Sequence, residues 1–337
     1  MESNNLALVS GANGHLGNNL VRLLLQQGIP VRATVRNINN TAPFKGLNCE
    51  VVQADITDKA SFVKALQGVH TFYAVGASFK LWAKDPKKEI YDVNMQGTKN
   101  TIEAAAEAGV KRIVYVSSIA ALDYTTLPTK ESNGYNPDRR DMYYNSKNDG
   151  EKLAFKLAKE LGIDLVSVMP GAMIGSEAFL PLNVSYGVLK LIINKQIPID
   201  TKITLNWVDV KDVAMGCYLA AQKGRSGERY ILTNEKCMTI TDTTKLAQKL
   251  YPELKLKVPG AVPKCLLYTI AGLMEFSAKV SGKAPVLTTK DISMFSGLQQ
   301  DFDISKSRKE LGFNPKSTEQ TLTEAFAYLM NNKELLK

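Results

Sequence analysis

Hydrophobic positions in the first half of the chain come in short unbroken runs, each followed by a stretch patterned for a helix. LALVS (6–10), PVRATVRN (30–37), CEVVQADITD (49–58), HTFYAVGA (70–77), RIVYVSS (112–118) and DLVSVMP (164–170) predict six strands. Helical patterns lie between them. NNLVRLLLQQG places Leu20, Leu23, Leu24 and Gln27 on one face, with Gly28 as its stop. Further helices are predicted over 60–68, over about 89–108 ending at Gly109, and over 143–161. Apolar strands alternating with helices predict a parallel sheet covered on both faces, which right-handed crossovers wind in both directions.

After Pro170 the regularity weakens. NWVDV (206–210), the helix DVAMGCYLAAQ and the strand RYILT (229–233) are expected to return to the sheet, while 172–205 and the chain from about 236 form a smaller mixed lobe. The expected fold class is therefore α/β, a doubly wound parallel sheet of the Rossmann type with a smaller C-terminal mixed α/β lobe for substrate. Residues 1–171 plus about 206–235 form the nucleotide domain, and 172–205 plus 236–337 the lobe. An apolar-faced helix over 263–281 is expected to cover the pocket or a partner rather than a membrane surface, because its polar face is not notably basic.

Composition narrows the function classes. With 45% hydrophobic and 22% charged residues in 337, the chain is patterned to fold, not to stay disordered. Its net charge of +9 is dispersed, and the dense clusters are as short as KDPKKE (84–89). That is a solvated face rather than a nucleic-acid patch, and it suits a polyanionic small cofactor. No run of 18 apolar residues predicts a transmembrane segment, and MESNN lacks the basic region of a cleavable signal. Cys49, Cys217, Cys237 and Cys265 lie far apart beside only two histidines, which predicts reduced thiols, a cytoplasmic protein and no metal.

The chemistry begins at LVSGANGHLG (8–17), where Gly11 follows a strand, Gly14 lies in the turn and Gly17 enters a helix. Such a turn presents a helix N-terminus to a pyrophosphate, which makes Gly11, Asn13, Gly14, His15, Leu16 and Gly17 a dinucleotide-binding set. The second strand ends without a carboxylate for a ribose 2′-hydroxyl. It carries Arg32 and Arg36 instead, and Arg36, at the strand's C-terminal edge, is the better clamp for a 2′-phosphate. NADP(H) is the expected cofactor. Asp55 and Ile56, at the end of the third strand, are placed beside the adenine, although Asp55 serves equally well as a helix-start residue.

Tyr143 and Lys147, in YYNSK, are four residues apart and share one helix face just beyond the fifth strand. A tyrosine with an ammonium alongside is suited to proton exchange with a carbonyl or alcohol. Tyr144 has Asn148 at the same spacing, without charge, which favours Tyr143. Ser117 and Ser118 close the fifth strand, and alternation lets only one of them face inward to stabilise an oxyanion.

SGANGHLG, ADITD, DVNMQGTKNTIEAA, VKRIVYVSS, YYNSKNDGEKLA, SVMPGAMIG and WVDVKDVA together resemble an extended short-chain dehydrogenase/reductase over nearly the whole chain. This is the NAD-dependent epimerase/dehydratase superfamily, and GIPVRATVRN gives the chain a likeness to its dihydroflavonol 4-reductase-like branch. The resemblance implies Ser118, Tyr143 and Lys147 as the catalytic triad and Arg36 as the phosphate ligand. It implies Pro170 in the loop lining the nicotinamide, with Tyr143 and Lys147 also on the cofactor. Asn94 matches an asparagine of structural or relay role. The activity implied is reduction of a hydrophobic ketone or aldehyde, or the reverse oxidation. A sugar-nucleotide epimerase or dehydratase, a 3β-hydroxysteroid-type dehydrogenase and a non-catalytic NADP-binding protein are the alternatives. A homodimer is a superfamily expectation. Pocket-shaping residues are expected mainly in 76–90, 120–142 and 172–200.

Overall fold

A computed structural model describes residues 5–78, 83–180, 182–281, 285 and 287–336. Part of the expected pocket segment 76–90 and Pro181 of 172–200 thus lie outside the described residues. All six N-terminal runs become strands. β1 (Ala7–Val9) leads into α1 (His15–Gln26), β2 (Val31–Val35), β3 (Glu50–Gln53), α2 (Lys59–Ala65) and β4 (Thr71–Ala74). Then come α3 (Val93–Glu107), β5 (Arg112–Val116), α4 (Met142–Leu161) and β6 (Asp164–Pro170).

β7 (Ala172–Ile174), α5 (Val184–Ile193), β8 (Ile199–Asp200), β9 (Thr204–Leu205) and β10 (Trp207–Asp209) follow. α6 (Val210–Lys223) and β11 (Arg229–Leu232) return to the main sheet, whose order is β11-β6-β5-β4-β1-β2-β3 with every pair parallel. β1 lies between β2 and β4, with Ala7 opposite Val31 on one side and Thr71 on the other. Chain order reverses there, which opens a crevice at the carboxyl ends of β1 and β4.

Alternation explains why the central strands are largely apolar, although β2 carries Arg32 and the edge strand β3 carries exposed Glu50 and Gln53. Ala7 and Val9 pack on one face with Leu20 and Leu24 of α1 and Cys217 of α6, whereas Leu8 packs on the other with Phe62 and Ile102. In β5, Val114 and Val116 join the first face, and Ile113 and Tyr115 the second. Both faces are helix-covered, so neither can be polar. On α1 the buried stripe is Leu16, Leu20, Val21 and Leu24, while Gln27, at the C-cap, is exposed.

One expectation fails. Trp207–Asp209 is buried but does not rejoin the central sheet; it pairs in parallel with Ala172–Ile174 alone. A short apolar run signals burial without naming the sheet it joins. The remaining lobe contains β12 (Met238–Thr239), antiparallel to β9, then α7 (Ile240–Leu250) and β13 (Gly260–Ala261), parallel to β8. It ends with α8 (Lys264–Ser281), α9 (Thr289–Phe295) and α10 (Thr318–Asn331). Its core gathers Trp207, Tyr186, Leu189, Leu322 and Phe326.

Candidate active site

The glycine turn lies at the mouth of the crevice. Gly11 has φ +60°, in the left-handed region, and Gly14 N–H donates to its carbonyl at 2.9 Å. A Cβ on Gly17 would lie 2.3 Å from the Gly11 oxygen and 2.9 Å from the Ala12 Cα, so only glycine lets α1 start this close to the strand. Gly14 is the N-cap, with no side chain capping the helix. The first turn of α1 therefore offers backbone N–H groups and positive dipole to an anion. Leu16 and Gly17 are buried, while Asn13 is half-buried and Gly14 exposed. Ser10, which the sequence did not single out, fixes the crevice floor. Its Oγ accepts from the N–H groups of Val75 and Gly76, both at 3.0 Å, and so ties β1 to the chain leaving β4.

The imidazole of His15 belongs to a different structure. Nε2 meets the Ser176 carbonyl at 3.0 Å, Nδ1 meets Asn183 Nδ2 at 3.0 Å, and the ring packs on Tyr186 at 5.6 Å. The side chain thus ties the glycine turn to the lobe. Burial lowers its pKa from 6.5, outweighing its carbonyl contacts and the charges of Asp209 and Glu177.

The two arginines of β2 divide as their positions suggest. Arg32 is engaged, bonding Glu50 at 2.7 Å and the carbonyls of Ala65 and Gln67. Arg36, exposed at the strand's end, has a guanidinium with no hydrogen bond or ion pair among the described residues; only its carbonyl is used, by Gln53. Asp55 is next to it. Burial opposes ionisation of that carboxyl, but two hydrogen bonds from Thr57 and the charge of Arg36 hold it below its ordinary value. Ile56 accepts from Asn100 at its carbonyl, and its side chain packs against Gly97 of α3.

Deeper in the crevice the structure brings Ser118, Tyr143 and Lys147 together. Asp141 caps α4, accepting from Tyr143 and Tyr144 N–H, so the helix begins with Tyr143 in its first turn. Ser118 caps a single helical turn after β5 and hydrogen-bonds the Tyr143 hydroxyl. Ser117 points into the protein, 2% exposed, its hydroxyl without a partner among the described residues. The alternation between the two serines is thereby resolved in favour of Ser118. Lys147 is buried, with Nζ 5.9 Å from the Tyr143 ring centre and donating to the Val116 carbonyl at 3.2 Å. Burial depresses its pKa to about 8, against the pull of Glu151. Glu151 is fully buried and is held by Arg229 at 2.7 Å and by Ser167. This pair beneath the lysine carries no sequence signature.

In the chain alone Lys147 does not lower the Tyr143 pKa. Burial raises it to about 12, Ser118 lowers it and Asp141 raises it further. The lysine is directed to a carbonyl, not to the phenol oxygen. Tyr143 is accordingly a neutral phenol at neutral pH.

Asn94 is fully engaged. Its Oδ1 accepts from Ser78 N–H at 2.7 Å, and its Nδ2 donates to the Ser78 carbonyl at 2.9 Å and to Ser146 Oγ at 3.0 Å. Of its two roles, these bonds support the structural one. Pro170, buried, ends β6 beside Leu232. Outside the segments expected to shape the pocket, α9 reaches the start of α4: Lys290 bonds Asp141 at 2.6 Å, Arg140 bonds Ser293, and Phe295 packs on Tyr144 at 5.4 Å. The capping box of Thr288 and Asp291, in TTKD, was the signal that could have located this helix. Among the described residues there is no cluster able to hold a metal, and no helix long and apolar enough to cross a membrane.

This combination of sheet, glycine turn and Ser–Tyr–Lys cluster defines a dinucleotide-dependent class. The family model for the NAD dependent epimerase/dehydratase family matches residues 7–233. The chain is 31% identical to a putative dihydroflavonol 4-reductase of Synechocystis sp., over 96% of this chain and 94% of that protein. It is also 31% identical to sterol demethylase protein B of Methylococcus capsulatus, over 95% and 97% of the two chains. The crystal structure of yeast methylglyoxal/isovaleraldehyde reductase with NADPH superposes with a TM-score of 0.77 at 21% identity, over 98% of this chain and 99% of that one. The chain belongs to the NAD dependent epimerase/dehydratase family and, within it, is an extended short-chain dehydrogenase/reductase related to dihydroflavonol 4-reductases.

Proposed function

We propose that the chain is an NADP(H)-dependent reductase of a hydrophobic ketone or aldehyde, able to run in reverse as an alcohol dehydrogenase. The observation that carries the reading is the Ser118–Tyr143 hydrogen bond with Lys147 buried alongside, at the crevice of a nucleotide-binding sheet. The cofactor fits what the chain presents: a helix start without a side-chain cap behind Gly11 and Gly17, and at the end of β2 an Arg36 guanidinium that is unpaired among the described residues and suited to a 2′-phosphate. Bound there, the dinucleotide supplies hydride to the carbonyl carbon. Ser118 steadies the substrate oxygen, and Tyr143 passes its phenolic proton to that oxygen as negative charge builds on it. Lys147, as an ammonium, stabilises the phenolate left behind. In the oxidative direction the same atoms take the proton back.

The lobe, 172–205 with 236–337, is assigned to substrate, and the Tyr144–Phe295 pair gives it an aromatic wall next to the acid. The relative named for sterol demethylation supports a sterol-like alcohol as a second substrate class. A homodimer and a cytoplasmic location complete the reading. The test is NADPH consumption by the purified protein over a panel of hydrophobic and sugar-nucleotide substrates. Tyr143→Phe is expected to lose at least about 1,000-fold in turnover while keeping its NADPH affinity. Substantial residual turnover, or tightly held NAD released on denaturation, would favour the epimerase alternative or a different acid.

A further inference from the structure

α8 is apolar on the side it turns to solvent. Its inner side packs Leu267 and Ala271 against Leu287 and Ile292, as a helix covering α9 should. Yet every exposed side chain described between 265 and 280 is uncharged. Leu273 is 66% exposed, Phe276 68% and Val280 76%, with Leu266 and Met274 beside them. Successive outward positions recur at helical spacing, so they form one stripe along the helix. A surface helix normally places its charges there. Here the one acid of α8, Glu275, is turned toward α9, where it accepts from the Thr289 N–H and hydroxyl. Half of the large exposed hydrophobic side chains among the described residues lie on this helix, and such a patch marks a contact surface.

The surrounding charge selects the occupant. In sequence, residues 255–290 hold six lysines (Lys255, Lys257, Lys264, Lys279, Lys283 and Lys290) and a single acid, Glu275; among the described residues Lys255, Lys257 and Lys264 are exposed, while Lys290 pairs with Asp141. The flanking Glu253 and Asp291 leave the excess positive. Two copies meeting through this stripe would bring two lysine-rich segments together, whereas an anionic surface would neutralise them. No helix among the described residues crosses a membrane, so contact would be with the interface only. Against the expectation drawn from the helix's own polar face, the geometry points to α8 as a peripheral docking helix, its Leu266–Leu273–Phe276–Val280 stripe entering an anionic phospholipid surface with the flanking exposed lysines Lys255, Lys257 and Lys264 at the headgroups. α8 rests on α9, which contacts the catalytic helix through Phe295 and Lys290, so docking sets the lobe side of the crevice toward the lipid. This surface assignment does not depend on the reaction assigned above.

The experiment is co-sedimentation of the full chain, without substrate, with vesicles of phosphatidylcholine alone or mixed with phosphatidylglycerol. Wild type is expected to pellet with the mixed vesicles and to remain in the supernatant with the neutral ones. Leu273→Glu/Phe276→Glu should lower the bound-to-free ratio about tenfold or more at an unchanged melting temperature. Lys257→Glu/Lys264→Glu, which leaves the stripe intact, should also weaken binding to the mixed vesicles. Wild type left in the supernatant with both vesicles overturns the proposal, as does unchanged binding by both variants. Equal pelleting with neutral vesicles overturns the anionic assignment. A dimer in light scattering that Leu273→Glu/Phe276→Glu dissociates gives the face to a second copy instead.

Discussion

The half of the chain that builds the sheet and the lobe that closes over it bury apolar surface in different ways. In the first half the central strands are paired on both edges and covered on both faces, so their burial is continuous, whereas the edge strand β3 leaves Glu50 and Gln53 exposed. The lobe assembles from two-residue and three-residue strands and helices of seven to eighteen residues, and its core depends on a few large rings such as Trp207, Tyr186 and Phe326. The chemistry divides the same way. Backbone and helix ends of the first half make the proposed nucleotide site, where substitution meets unyielding main chain. Side chains projecting from the lobe touch the catalytic helix from outside, where a change alters fit without breaking the frame.

That difference is most sharply tested at Gly17. Its added Cβ would strike two backbone atoms that cannot swing aside. Gly17→Ala should cost about 3 kcal/mol of stability or more and abolish nucleotide binding. Thermal denaturation with and without NADPH measures both, and a variant that melts like wild type and still binds would show the turn to be softer than its geometry. Next in size is Arg36→Ala. A charge-assisted contact contributes about 2 kcal/mol, so affinity for NADPH should fall about thirtyfold while that for NADH is unchanged. Titration of nucleotide fluorescence tests it, and an equal fall for both nucleotides would place the arginine away from the 2′-phosphate. On the lobe side, Phe295→Ala removes one aromatic contact with Tyr144, worth about 1 kcal/mol. The KM for a hydrophobic carbonyl should rise about fivefold with kcat little changed, and a loss in kcat alone would mean that α9 positions Tyr143 and does not form the wall.

The contrast between the two regions is also why one was legible and the other not. Strands covered on both faces appear as unbroken apolar runs, so all six N-terminal runs were locatable from sequence to within a few residues. Trp207–Asp209 has the same pattern and its burial was legible, but its partner was not, because pairing of three residues with β7 is decided by where the chain leaves β6. At the site, Tyr143 and Lys147 could be placed on one helix face from their spacing. The choice between Ser117 and Ser118 needed the strand's direction, which the structure supplies. The Glu151–Arg229 pair under Lys147 and the Ser10 link between β1 and β4 join residues 78 and 65 or 66 positions apart. No local pattern encodes contacts of that range.

His15 crosses the divide, and the effect expected there is the smallest. It begins α1 in the glycine turn, yet its ring is enclosed by Ser176, Asn183 and Tyr186 of the lobe. Burial lowers its pKa from 6.5, so the folded protein holds the imidazole neutral. Above that value both folded and unfolded chains are neutral at this position, and the residue adds no pH dependence. As pH falls through 6.5 the unfolded chain takes up the proton first, and folded stability declines. Asp209 and Glu177 oppose the shift without reversing it. The melting temperature of His15→Gln should therefore decline less than that of wild type between pH 7 and pH 5. Taking the difference between the two proteins removes the titration of carboxylates common to both. Parallel declines would mean that the imidazole is as solvated folded as unfolded, and that the glycine turn and the lobe are joined by packing alone.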